Sequence, residues 1–237
     1  MKGVVLAAGR GSRLGSATAA VPKPLVPVGG QRCIDYALNA LARVCESILV
    51  VTGYEAEQVE AHVASVRLGI PVRTCCNRDL EAGNLTSLLA GRAAIGQAGF
   101  ILTNADHLFP ADMYSRHFQP GDGIRIATER SRPILDDEMK VAARDDRLVR
   151  ISKTLEHYDG AYIGTTIVPS IHAHAYWRAF DRVHAREDLR TASVEMVLGE
   201  LAASGNTVPE LCWIEGLRWY EVDTQEDLGI ARAGLDQ

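Results

Sequence analysis

The side chains best suited to chemistry in this 237-residue chain lie in four short stretches. They are a glycine-rich run, a proline-flanked lysine and two strand-like segments that end in aspartate. The run LAAGRGSRLG carries Gly9, Gly11 and Gly15, which let the backbone approach an anion and take conformations barred to residues with a Cβ. Successive N–H groups in such a loop cradle phosphates. Arg10 and Arg13 add charge, and Arg13 adds a bidentate fork. A short way on, PKPLVPVGG presents Lys23 between two prolines. Asp106 closes ILTNAD and Asp223 closes WYEVD. Carboxylates of this kind bind magnesium together with phosphate oxygens, so the set suits chemistry on a polyphosphate.

Two other phosphate loops fit less well. A Walker loop needs G-x-x-x-x-G-K-[ST], and no Lys-Ser or Lys-Thr follows these glycines. A dinucleotide-binding loop runs straight into a helix. Here Pro22, Pro24 and Pro27 forbid a regular helix across SATAAVPKPLVPVGG, so the loop reads as long and extended. No Ser-His-Asp or Cys-His arrangement is apparent. Cys33, Cys45, Cys75, Cys76 and Cys212 form no C-x-x-C pair and read as buried structural thiols. His172 and His174 fall where a helix begins, with diverging i and i+2 side chains, and read as surface residues. A net charge of −5 disfavours a broad nucleic-acid-binding face. The stretch VVLAA before Arg10 is too short for a signal peptide or a membrane span, so a cytoplasmic protein without a membrane partner is expected.

The elements that must position these residues follow from periodicity. In the first half, apolar runs alternate with helical patterns, which predicts βαβ units and a mainly parallel α/β sheet. Strands are expected at KGVVLAA, SILVVTG, PVRTCC and GFILTNAD, with helices over 32–45, 55–67 and 84–97. After Phe118 the rhythm changes. GIRIAT and AYIGTTIV read as strands, and EMKVAAR-DD-RLVRISK as a hairpin turned by Asp145-Asp146. Helices over 170–186 and 193–204, a late strand LRWYEVD and a closing helix capped by Thr224 complete the pattern. One domain over 1–237 is expected, with a mixed-sheet insert over about 120–210 on the acceptor side.

LAAGRGSRL followed by PKPLVPVGG resembles the signature of the sugar-phosphate and alcohol-phosphate nucleotidyltransferases, and later landmarks occur in the order of that family. The resemblance implies a Rossmann-like doubly wound mixed sheet and transfer of a nucleoside monophosphate to a phosphorylated acceptor, with pyrophosphate released. It implies that Leu6, Ala7, Ala8, Gly9 and Gly11 wrap the triphosphate, that Arg13 and Lys23 contact its phosphates, and that Asp106 and Asp223 bind Mg2+. Many members carry a further acidic residue where this chain has Asn104. For the acceptor phosphate the resemblance points to a lysine in the insert, Lys153 or else Lys140.

The base-reading stretch NRDLEAGNLTSLLAG lacks the Gln-x-x-Gly and Pro-Gly-Thr-Ala-like elements of UTP and dTTP enzymes. With Asn77, Gly83, Asn84 and Ser87 it looks more like the choline-phosphate and inositol-phosphate cytidylyltransferases, which favours CTP. Asn84 and Ser87 also suit helix capping. The acceptor, whether an inositol phosphate, choline phosphate, phosphonate or sugar phosphate, stays open. So do a UTP- or dTTP-dependent sugar-1-phosphate enzyme, a nucleotide-sugar glycosyltransferase (disfavoured by the missing D-x-D pair) and a non-catalytic nucleotide sensor.

Overall fold

The computed structural model describes residues 1–18, 21–118 and 121–235. The first half runs β1 (Lys2–Leu6), β2 (Pro27–Val28), β3 (Gln31–Arg32), α1 (Cys33–Ala42), β4 (Ser47–Thr52), α2 (Ala56–Ser65), β5 (Val72–Cys76), α3 (Asn84–Ile95), β6 (Phe100–Asn104) and β7 (His107–Leu108). The second half runs α4 (Met113–His117), β8 (Arg125–Glu129), β9 (Lys140–Arg144), β10 (Arg147–Ser152), β11 (Gly160–Val168), α5 (Ser170–Arg186), α6 (Val194–Ser204), β12 (Glu210–Trp213), β13 (Tyr220–Glu221) and α7 (Gln225–Leu235). The sequence places its change of rhythm near residue 120, which lies outside the described residues.

Nine strands form one mixed sheet in the order β5-β4-β1-β6-β11-β8-β12-β10-β9. β5, β4, β1 and β6 are parallel, as the βαβ reading predicts, and β11 then joins β6 antiparallel. Period-two alternation explains how helices cover both faces. Val4 and Leu6 pack with Leu85 and Leu88 of α3 and with Tyr176, Phe180, Val197 and Leu201 of α5 and α6. Val5 and Ala7 point the other way, toward Ile34, Leu38 and Leu41 of α1 and Val59 and Val63 of α2. The result is a doubly wound, Rossmann-like α/β fold.

Several expectations change. The stretch around Pro22 is not simply extended, because 3-10 turns occupy Ser12–Thr18, with a kink at Gly15, and Lys23–Leu25. Such turns are short enough to coexist with prolines that exclude an α-helix. LRWYEVD does not enter the main sheet. Only Tyr220 and Glu221 are strand, paired antiparallel with Leu108 and His107 in a separate ribbon. The pairing of β12 with β8 and β10 was not expected, because ELCW is too short to show a period. Cys33 and Cys45 are buried, but Cys76 is exposed at the end of edge strand β5. His172 and His174 do lie at the surface of α5, half-buried and exposed respectively.

Local chemistry explains two connections. Asp145 and Asp146 have φ of 50° and 56°, as a two-residue turn with both central residues left-handed requires, and they join β9 to β10. At the start of α7, Asp227 donates its backbone N–H to Thr224 Oγ1 at 3.2 Å, while Thr224 N–H donates to Asp227 Oδ2 at 2.8 Å. This reciprocal cap fixes the end of the chain beside Asp223. Thr224→Ala is expected to cost about 1 kcal/mol, lowering Tm by about 2–4 °C for a domain of this size. An unchanged thermal melt would remove the cap from the account.

Candidate active site

The site begins at the carboxyl edge of the parallel strands, where open α/β sheets bind ligands. The backbone leaving β1 is pinned on both sides. Leu6 C=O accepts from Ala105 N–H at 3.0 Å, Ala7 N–H donates to Val51 C=O at 2.9 Å, and Ala8 C=O accepts from Tyr54 N–H at 3.0 Å. Beyond this rail the chain opens. A Cβ on Gly9 would meet nothing within 4 Å. Gly11 is different, since its φ is +70° and a Cβ there would stand 2.6 Å from Lys23 Cβ. Gly11 therefore lets the loop lie directly on the lysine stem. Arg10 sits 5.0 Å over the Tyr54 ring.

Lys23 is 8% exposed, and its ammonium is the centre of the arrangement. Nζ donates to Asp106 Oδ2 at 2.5 Å and also to Asp223 Oδ1. Arg13, largely exposed, pairs through Nη2 with Asp223 Oδ2 at 2.8 Å. Burial disfavours the Lys23 charge, but Asp106 and Asp223 outweigh it and hold the lysine above its ordinary range. Burial likewise opposes ionisation of Asp106, yet Lys23 and His107 keep it well below the usual carboxylate range. Arg13, Lys23, Asp106 and Asp223 thus come together from sequence positions up to 210 residues apart.

Neither aspartate ends a strand of the main sheet. β6 stops at Asn104, and Asp106 immediately precedes β7. Asp223 follows β13, and Val222 N–H donates to Asp106 C=O at 3.0 Å. The β7–β13 ribbon is therefore what sets the two carboxylates side by side. Because both face one ammonium, their oxygens form a donor set that fits a hard divalent ion such as Mg2+.

Asp223 also borders a cleft of about 930 Å³. Gly83, Asn84, Asn104, Lys153, Glu195 and Trp219 are among the residues that line it. Lys153 is exposed and lies just beyond β10. Lys140 is buried instead, its Nζ donating to Asp136 C=O at 2.8 Å and Lys153 C=O at 2.9 Å. It fixes the backbone that carries Lys153. Of the aromatic residues, Tyr162, Trp219 and Tyr220 reach the cleft.

The four residues at the expected base-reading stretch gather at the start of α3. Asn77 and Ser87 are each 6% exposed. Asn77 Nδ2 donates to Ser87 Oγ at 3.1 Å, to Thr86 Oγ1 at 3.2 Å and to Asp79 C=O at 3.2 Å. Asn84 Oδ1 accepts from Val194 N–H at 2.9 Å, so it ties α3 to α6 rather than capping its own helix. Gly83 is needed for that junction, because a Cβ there would lie 2.0 Å from Ala192 O.

Sequence reasoning missed His107 and Glu221. With Asp106 they bring ligand-type atoms within 4.8 Å of one another. His107 Nδ1 bonds Asp106 Oδ1 at 2.8 Å, and its Nε2 is 4.0 Å from Glu221 Oε1. Burial lowers its pKa, but Glu221 and Asp106 prevail and push it up to about 9. The only sequence signal was the spacing itself: His107 follows Asp106, and Glu221 is two residues before Asp223.

Among the described residues, no helix is long and apolar enough to cross a membrane. Over 236 residues the chain is 28% identical to the bifunctional IPC transferase and DIPP synthase of Archaeoglobus fulgidus, covering 99% of this chain and 44% of that protein. It is 27% identical over 238 residues to the CMP-5'-(3-aminopropyl)phosphonate synthase of Streptomyces rubellomurinus, covering 96% of this chain and 37% of that protein. The chain thus spans less than half the length of these two relatives. Among solved structures, the inositol-1-phosphate CTP transferase from T. maritima superposes with a TM-score of 0.80 at 22% identity, covering 100% of this chain and 96% of that one. The sequence profile of the MobA-like NTP transferase domain matches residues 3–193, most of the length, and the chain belongs to that family.

Proposed function

We propose that this protein is a magnesium-dependent cytidylyltransferase. It transfers CMP from CTP to a small phosphorylated or phosphonate acceptor and releases pyrophosphate, in the cytoplasm where CTP is made. The observation that carries this reading is the Lys23 ammonium joined to both Asp106 and Asp223 beside the glycine loop, at the border of a cleft lined by Lys153. That juxtaposition offers a polyphosphate site and an acceptor site that share one edge. The CTP preference draws support from the relatives, one named for CMP-5'-(3-aminopropyl)phosphonate synthesis and a structural neighbour named as a CTP transferase.

In the proposed reaction an oxygen of the acceptor phosphate attacks the α-phosphorus of CTP. The new P–O bond forms as the bond from the α-phosphorus to the bridging oxygen breaks, and pyrophosphate leaves with that electron pair. A phosphate monoester with its second pKa near ~6 is mostly dianionic at neutral pH, so no general base is required. Catalysis then consists of positioning and charge neutralisation. A bound Mg2+, held by Asp106 and Asp223, supplies Lewis-acid stabilisation of the phosphate oxygens. The N–H groups around Gly9 and Gly11 and the charges of Arg13 and Lys23 hold the triphosphate. Asn77, Gly83, Asn84 and Ser87 frame the base side, with the buried Asn77–Ser87 bond keeping that frame rigid. Lys153 holds the acceptor phosphate.

Pyrophosphate release with ATP, CTP, GTP, UTP and dTTP, each given a pool of phosphorylated acceptors, tests the assignment. CTP is expected to be turned over best, and turnover confined to UTP or dTTP would replace it with a sugar-nucleotide enzyme. Asp106→Ala is expected to lower kcat by roughly 10²–10³-fold, the scale seen when a group that stabilises transition-state charge is lost. Near-normal magnesium-dependent turnover in a folded Asp106→Ala chain would refute the role. Lys23→Ala should raise the KM for CTP far more than that for the acceptor. For Lys153→Ala the reverse holds: the acceptor KM rises about 10-fold or more, from loss of a charge-assisted hydrogen bond, while the CTP KM stays close to the wild-type value.

A further inference from the structure

We propose that His107 is a positioning residue for the ion site: it fixes the orientation of Asp106 and, with its cross-strand partner Glu221, holds Asp106 and Asp223 at the spacing one divalent ion needs. The inference rests on the reading of those aspartates as ion ligands.

Four observations carry it. First, the two oxygens of Asp106 are divided between partners, Oδ1 to His107 Nδ1 at 2.8 Å and Oδ2 to Lys23 Nζ at 2.5 Å. With Oδ1 held, rotation of the carboxylate is stopped and Oδ2 stays aimed at the site. Second, His107 lies directly opposite Glu221 in the β7–β13 ribbon, with Asp106 immediately before His107 and Asp223 two residues after Glu221. Cross-strand pairs stabilise such ribbons, and a ribbon only two residues long per strand has few other contacts to set its register.

Third, the imidazole is clamped. It stacks on Trp219 with an interplanar angle of 4° at 5.8 Å, and Phe109 lies against it at 5.8 Å. Trp219 is backed by Arg132 at 5.4 Å, whose guanidinium Nη1 bonds Glu138 at 2.9 Å. Buried Glu129 braces the same loop by accepting from Ser131 N–H and Ser131 Oγ, each at 2.7 Å. Fourth, the main sheet makes room for the ring. Gly164 sits mid-strand in β11 with φ of +73°, and a Cβ there would stand 2.5 Å from His107 Nε2. A left-handed glycine inside a fully buried strand costs stability, and here it vacates the space that the imidazole fills.

The groups that orient metal ligands are worth about 10–100-fold in metal affinity where this has been measured. The test uses the full chain and Mn2+ as probe, with free ion quantified by electron paramagnetic resonance, with and without CTP. His107→Phe keeps the stack on Trp219 but cannot bond Asp106. His107→Gln restores a donor without the ring. The expected result is Mn2+ binding weakened about 10–100-fold in His107→Phe and recovered to within about 5-fold of wild type in His107→Gln.

A purely structural role would instead lower Tm in both variants and leave the Mn2+ Kd unmoved. An unchanged Kd in folded His107→Phe overturns the proposal. Should His107→Phe not fold, Glu221→Gln decides, with about 3–10-fold weaker Mn2+ binding expected and an unchanged Kd overturning it. Wild-type chain that fails to bind Mn2+ even with CTP would sink the ion-ligand reading together with this one.

Discussion

A single buried ammonium holds the centre of this molecule. Lys23 meets Asp106 and Asp223, and each of the three comes from a part of the chain that has no sequence proximity to the others. Removing ions from water is costly, and the cost is offset only when opposite charges are close and well hydrogen-bonded. That condition is met because each element arrives with its own constraint. Gly11 lets the glycine loop lie on the lysine stem, and the β7–β13 ribbon fixes the two aspartates relative to each other. The reciprocal cap of Thr224 and Asp227 then anchors α7 immediately after Asp223.

The rest of the fold divides around that centre. The parallel strands β5, β4, β1 and β6 present their carboxyl ends to the glycine loop, which is the side suited to a polyphosphate. Antiparallel additions to the same sheet carry the β9–β10 hairpin, at whose end Lys153 faces the cleft. Lys140 links hairpin to cleft by holding the carbonyl of Lys153 from within. The two halves of the proposed chemistry therefore use different strands of one sheet and meet at Asp223.

Much of this could be read from residue types. The glycine run, Lys23 and the two aspartates stood out because each pairs an unusual residue choice with a local context, and the structure brings all of them together. The parallel strands and their helices were legible because their apolar periods extend over whole elements. What escaped notice depended on register rather than composition. A two-residue ribbon has no period, so the opposition of His107 and Glu221 could not be seen, and the late strand expected over LRWYEVD is only Tyr220–Glu221, outside the main sheet. In sequence Lys153 is the first candidate for the acceptor phosphate and Lys140 the second, and burial separates them into a cleft cation and a backbone brace. Asn84, expected on the base side with helix capping as the alternative, accepts a bond at its Oδ1 from a donor, Val194 N–H, that is 110 residues away.

That last bond has a mechanical meaning. The start of α3 frames the proposed base side, and the start of α6 forms a wall of the cleft. They are joined by the Asn84–Val194 bond and by the flush contact of Gly83 with Ala192, where no side-chain atom separates the two backbones. Such a seam has no slack. Any shift of α6 to accommodate one guest pulls the beginning of α3 with it, so the shapes of the two compartments are not independent variables. For the proposed reaction, a change that moves the start of α6 is therefore expected to alter the base side as well as the acceptor side.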